Sequence, residues 1–217
     1  MRLASKKWQR RSLRIVITIF VITVLYSLFI FPLVTHWGAT KEEFDRSLPG
    51  DKLVKNKEYK NTIAVTVHAT PSQIWPWIAQ MGMHKAGFYS YTWLENLFGC
   101  KLRNANNIHA EWQNTIPGYY ECVCQSAEKK NMPGWIVTII EPHKSFVWKG
   151  KEGEWMMGVY IDSIDTNTSR LLTRQQFKMP SRWTMNWILE KAWFGWAHCL
   201  MQHGMITGIK KRVERNL

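Results

Sequence analysis

Acidic residues are scarce in this chain: 16 Asp and Glu stand against 29 Lys and Arg in 217 residues, a net charge of +13. None of the acids precedes Glu42. There is no GxSxG elbow and no phosphate-cradling glycine loop, which removes the commonest hydrolase and nucleotide-binding signatures. His109, Glu111, Cys122 and Cys124 have the residue types of a zinc deaminase, but the proline-cysteine-x-x-cysteine segment is missing. His198 and His203 stand five apart, not the four that put two ligands on one helix face. No cofactor and no metal is therefore expected. Four cysteines, Cys100, Cys122, Cys124 and Cys199, have a spacing that forces no pairing. Cys122 and Cys124 would lie roughly 7 Å apart on one face of a strand, badly placed to bond each other, and free thiols are the default expectation.

What is present begins with an uncharged run. Residues 15–34, IVITIFVITVLYSLFIFPLV, would span roughly 30 Å as a helix, the thickness of a hydrocarbon core. The run exceeds a signal-peptide core and lacks a small-x-small cleavage pattern after it, so it reads as a retained transmembrane helix. Arg2, Lys6, Lys7, Arg10, Arg11 and Arg14 form a basic arm, 1–14, with no acid among them. The positive-inside bias then predicts a cytoplasmic N-terminus and an outward C-terminal part in a single-pass cell-membrane protein. Lys210, Lys211, Arg212 and Arg215 crowd the other end of the chain. With no recognition motif between these clusters, they read as charges for a lipid surface, and no nucleic acid is expected.

Residues 35–59 are charged and hold Pro and Gly, the composition of a linker, and 60–217 form one domain. Ile63, Val65 and Val67 alternate with Thr62, Ala64, Thr66 and His68, a half-buried strand. Thr70 and Pro71 then cap and start a helix to Gly82, with Ile74, Trp77, Ile78 and Met81 as its buried stripe and Trp75 and Ala79 toward a second partner. Pro76 should kink it. A loop, MHKAGFYS, leads to a short helix with Thr92 as the start of a capping box and Gly99 at its end. The runs YYECVCQS, WIVTII, SFVWK, EWMMGVYIDS and RLLTRQQFK, parted by turn signals, predict an antiparallel meander. From about Ser181 to Glu214 aromatic and aliphatic residues recur every three or four positions, among them Trp183, Trp187, Met201, Met205 and Ile209, and predict a long helix, bent or broken at Gly195. The sheet needs its apolar face covered, and that helix is the only element long enough to cover it.

The segments WPWIAQMG (75–82), GFYSYTWLENLFG (87–99), RNANNIHAEWQ (103–113), TSRLLTR (168–174) and GIKKRVE (208–214) resemble the START and polyketide-cyclase (SRPBCC) superfamily, closest to a bacterial membrane-anchored subgroup. The resemblance covers about residues 50–217. It implies an α+β helix-grip fold: an antiparallel sheet wrapped around a long C-terminal helix, here behind one N-terminal transmembrane helix. It also implies a cavity between sheet and helix for a hydrophobic or amphipathic small molecule, without implying a reaction. Arg103, Asn106 and Asn107 depart from the histidine and acid-arginine expected there. On this footing Trp75, Tyr89, Tyr91, Trp93, Glu95, Asn104, His109, Trp112, Arg174, Met201 and Met205 are candidate ligand-binding residues. Arg174 would meet an acidic head group if it points inward. Trp183, Trp187, Trp193 and Trp196, with Arg182 and Lys191 nearby, are candidates for the membrane interface. The reading that follows is a membrane-anchored carrier, sensor or scavenger of a lipid-like molecule. The alternatives are a cyclase or hydrolase using Glu95, His109 or Tyr91, and an interaction module whose interior is filled by its own side chains.

Overall fold

A computed structural model describes residues 2–125, 128, 134–150, 153–178 and 195–217. Helix α1 (Arg2–Leu25) runs into a π-helical turn, Tyr26–Ile30, and then α2 (Phe31–Thr35). The uncharged run is thus divided, and among the described residues no helix is long and apolar enough to cross a membrane. Pro32 supplies the local reason, because it cannot donate into the turn before it and the ladder must widen there. The backbone stays in the right-handed helical region at Leu25, Ile30 and Phe31, so the three pieces follow one another without a loop.

Beyond α2 the chain forms α3 (Lys41–Asp45), closed by a capping box between Thr40 and Glu43, and reaches β1 (Tyr59–Val67). Next come α4 (Pro71–Ala79), α5 (Thr92–Leu97), a short 3-10 turn (Ala110–Trp112) and β2 (Tyr120–Glu121). The meander follows as β3 (Trp135–Glu141), β4 (Ser145–Gly150), β5 (Trp155–Ser163) and β6 (Ser169–Phe177), and α6 (Gly195–Arg215) closes the chain. One six-stranded antiparallel sheet results, in the order β1-β6-β5-β4-β3-β2. The fold is α+β, with α6 laid along one face.

Strand alternation separates two cores. Ile63, Val67, Leu171, Val159, Met157 and Trp148 meet Cys199, Met205, Ile206, Ile209 and Val213 of α6 and the stripe Ile74, Trp77, Ile78 and Met81 of α4. The opposite face carries Ala64, Leu172, Met156, Val147 and Tyr160, covered by Leu48, Leu53 and Val54. The expected linker therefore lies against the sheet. Arg174 locks it there: its Nε donates to Thr62 Oγ1, Nη1 to Arg46 O and Asp51 Oδ2, and Nη2 to Glu43 O and Phe44 O, at 2.7–3.0 Å. All five guanidinium donors are used with the side chain wholly buried. Arg170 adds a two-pronged pair with Glu43. Burial alone would raise the Glu43 carboxyl, but the hydrogen bonds from Arg170 and the Thr40 backbone bring it below its ordinary value.

Three local expectations change. α5 is not capped by Thr92; Tyr91 holds the cap position and makes no side-chain cap bond. The run YYECVCQS pairs only over Tyr120–Glu121, because Cys124 leaves the ladder to form a disulfide with Cys100, and Gln125 N–H bonds to Cys100 O at 3.2 Å. Two of the four cysteines are thus paired, while Cys122 and Cys199 are free and buried.

Candidate functional site

The loop after α4 is built around a strained tyrosine. Tyr89 has φ +58°, a left-handed conformation that disfavours a bulky side chain. Asn104 holds it from both sides, Oδ1 accepting from Tyr89 N–H at 2.8 Å and Nδ2 donating to Ser90 O at 2.9 Å. Gln80 Nε2 donates to Tyr89 Oη at 2.7 Å, and the Arg212 guanidinium lies 4.9 Å from the ring centre. Gly204 and Gly208, one turn apart on α6, let the loop come close. A Cβ at Gly204 would strike the Tyr91 ring, and one at Gly208 would strike the Tyr89 carbonyl. Ser90 Oγ completes the seam by donating to Met201 O at 2.8 Å.

Between this loop, the sheet and the first half of α6 lies a cavity of about 180 Å³. Its apolar lining comes from Phe88, Val123, Trp135, Met157, Met201 and Met205, and its polar lining from Ser90, Glu95, Gln175, His198 and Gln202. Met157, Gln175, Gln202 and Met205 are buried. Glu95 projects from α5 with Oε2 buried and without a hydrogen-bond partner, and burial pushes its carboxyl up to about 7. Burial also pushes the His198 imidazole down to about 4, so it is neutral at physiological pH. A larger depression of about 690 Å³ lies near the far ends of β4 and β5. Exposed Pro49, Glu141, His143, Lys144 and Ser163 contribute to its walls, with Arg46 paired to Asp162 and Glu141 bonded by Ser145. The smaller cavity, with its mostly apolar and partly buried lining, is the better candidate.

Of the residues expected to bind a ligand, Glu95, Met201 and Met205 line this cavity. Tyr89, Tyr91 and Asn104 shape the loop beside it. Trp75 packs against His143 and Phe146, with ring centres about 6 Å apart. His109 packs on Trp112 in a tilted contact, ring centres 4.1 Å apart, away from the cavity lining, and Trp93 is exposed. Arg174 belongs to the opposite face of the sheet: the strand parity that puts Gln175 in the cavity turns its neighbour outward. Trp196 is exposed at the start of α6, while Trp183, Trp187 and Trp193 lie outside the described residues. Sequence reasoning weighed His198 only as a metal ligand and did not single out Gln175 or Gln202 as cavity residues. The available signal was polar side chains on the cavity side of otherwise apolar elements, Gln175 beside Leu171 and Thr173, and Gln202 between Met201 and Met205. Among the described residues, no group of three His, Cys, Asp or Glu is placed to hold a metal ion.

Fold and site together define an antiparallel sheet holding a C-terminal helix, with a small and mainly apolar cavity between them. No family model matches the sequence, and no curated protein matches it. Solved structures with a similar course include a START superfamily protein from Mycobacterium smegmatis, 10% identical over 73% of this chain and 99% of that one, at TM-score 0.41. A Bacillus halodurans protein is 12% identical over 73% and 99%, at TM-score 0.46. An HSP90 activator from Plasmodium falciparum is 11% identical over 71% and 96%, at TM-score 0.40. Likeness at this level says nothing about ligand or activity.

Proposed function

We propose that the chain binds a hydrophobic or lipid-like small molecule beside a membrane, as a carrier, sensor or scavenger. The observation that carries this reading is the cavity between sheet and α6, apolar on most of its wall and polar at a few convergent points. At about 180 Å³ it is close to the roughly 150 Å³ of an engineered apolar cavity that takes benzene, so the bound part is ring-sized or a short chain.

Two observations support the membrane half. Phe31 of α2 packs with Tyr59 and Phe177, at the end of the sheet where α6 begins, so the uncharged segment 15–34 leaves from that end. α5 reaches the same end through its disulfide to Cys124, and it exposes Trp93, Leu97 and Phe98 next to exposed Lys101 and Arg103. The cavity would then open near lipid. The Cys100–Cys124 bond favours an oxidising compartment for the domain, as an outward orientation requires.

The test is native mass spectrometry of full-length protein extracted in detergent. A bound apolar molecule that is lost when Met205→Trp fills the cavity is expected; protein that emerges empty and takes up no apolar probe overturns the reading. An enzymatic reading rests on Glu95, whose carboxyl titrates near neutral pH and could exchange protons with a substrate. It predicts turnover that Glu95→Gln abolishes.

A further inference from the structure

Leu102 is buried, and Asn96 pairs with it as a neighbouring strand would: Leu102 N–H donates to Asn96 Oδ1 at 2.7 Å, and Asn96 Nδ2 donates to Leu102 O at 3.1 Å. With Leu102 held inward, the residues on either side of it turn outward by strand parity. Lys101 and Arg103 are accordingly both exposed, and with Asn96 and Leu102 they wall a depression of about 460 Å³ that contains no acid. Among the described residues the side chains of Lys101 and Arg103 make no hydrogen bond and no ion pair. Lys101 sits at φ +56°, a left-handed conformation uncommon for lysine, directly after the disulfide-bonded Cys100. Two unanswered cations are thus held side by side on a pinned backbone.

The helix beside them has two different faces. Glu95 lines the cavity, whereas Trp93 and Leu97, one turn apart, share the other side and are 66% and 73% exposed. Asn96 belongs to α5, so the apolar face and the basic depression adjoin.

We propose that this corner docks on an anionic bilayer surface: the depression takes a lipid head-group phosphate between Lys101 and Arg103, while Trp93 and Leu97 enter the boundary with the acyl chains. The proposal rests on the reading that the chain sits beside a membrane, and names the class of lipid that membrane must offer. Free phosphate would answer the two cations and leave the apolar face in water. A protein partner fits poorly, because stable interfaces engage about 20–30 residues a side and this corner offers two apolar side chains and two cations. A bilayer needs no such area, since the uncharged run 15–34 leaves from the same end of the sheet and would hold the corner against it.

The test is hydrogen–deuterium exchange, read by mass spectrometry, on full-length protein in nanodiscs of phosphatidylcholine alone or mixed equally with phosphatidylglycerol. Exchange over residues 91–103 should be at least about fivefold slower on the anionic discs, since one basic residue near such a surface is worth about fivefold in affinity. Lys101→Asn combined with Arg103→Gln should remove the difference, and so should salt at about 0.5 M acting on the native protein, an arm that needs no variant to fold. Equal exchange on the two discs overturns the proposal, as does a difference that survives either the substitutions or salt. The same slowing produced by inorganic phosphate on neutral discs marks a free-anion site and overturns the lipid assignment. Slowing that grows with protein concentration marks a second copy and does the same. Residues 15–34 report separately: their protection on both discs leaves the membrane reading standing whatever 91–103 does, and full exchange there overturns both.

Discussion

Asp51 Oδ2 accepts a 2.8 Å hydrogen bond from Arg174 Nη1 on the face of the sheet turned away from α6. The contact joins the segment after the uncharged run to the middle of the sheet, with the arginine side chain fully buried. Residues 43–51 are thereby pinned to the sheet as a packed strap.

Arg174→Ala should be strongly destabilising. It leaves the mostly buried Asp51 carboxylate without its counter-charge, with only Leu48 N–H and Gln176 Nε2 donating to it, and frees the carbonyls of Glu43, Phe44 and Arg46. Breaking one side of such a buried pair costs about 3–5 kcal/mol. Urea denaturation measures the loss, and unchanged probe binding in the folded fraction would show that Arg174 takes no part in the cavity.

Glu95 should contribute stability that is lost as pH rises, against His198, whose imidazole is held down to about 4 and contributes the opposite slope up to about 6.5. The folded value of Glu95, about 7, lies above the ordinary 4.5, so the folded state holds the proton more tightly than the unfolded chain. The contribution is whole below about pH 4.5 and is lost as pH climbs through 7. Because the side chain is partly exposed, the effect is on the order of 1–2 kcal/mol after screening. Denaturation between pH 5 and 8 should show the stability difference between the native protein and Glu95→Gln shrinking as pH rises, and a difference independent of pH would refute the Glu95 contribution.

Reducing the Cys100–Cys124 bond should loosen the end of α5. It closes a loop across a sequence separation of 24, for which chain entropy alone gives about 3 kcal/mol. The double variant Cys100→Ser, Cys124→Ser should lose stability by that amount. Alkylation of unreduced protein should modify no cysteine in the native state and two in denaturant, since Cys122 and Cys199 are buried. Four modified cysteines without reductant would refute the pairing.

Gly208→Ala should disturb the loop as well as the helix. Alanine favours a helix by about 1 kcal/mol over glycine, so an isolated helix would gain. Here the added Cβ collides with the Tyr89 carbonyl, backbone already held at positive φ. A net loss of about 1–3 kcal/mol is expected from overpacking, read as a lower Tm. A raised Tm would mean that the loop yields freely.

Much of the scaffold was legible in the sequence because its signals are local. The alternation of Ile63, Val65 and Val67, the capping residues Thr70 and Pro71, and the stripe Ile74, Trp77, Ile78 and Met81 each lie within a few neighbouring residues. β3 to β6 appear close to where turn signals and alternation placed them. Composition misled at residues 35–59, which look like a linker because their charges are plentiful. Those charges answer Arg170 and Arg174, more than a hundred residues away.

The site was less legible. Glu95, Met201 and Met205 were within reach of family resemblance and helical spacing, whereas Arg174 was a candidate only if it pointed inward, and His198 was weighed only as a metal ligand. Parity along β6 distinguishes two faces, but nothing in the run RLLTRQQF says which one α6 will cover.

The amino-acid order by itself determined the strands, the principal helices, the uncharged N-terminal run and the need for a helix to cover the sheet, since each follows from periodicity and short-range sterics. Only the folded chain decided that Cys100 bonds Cys124, that the strap seals Arg174 from solvent, and that His198 and Glu95 line one cavity. Those outcomes depend on which distant segments come to lie together, and that is set by the packing of the whole domain.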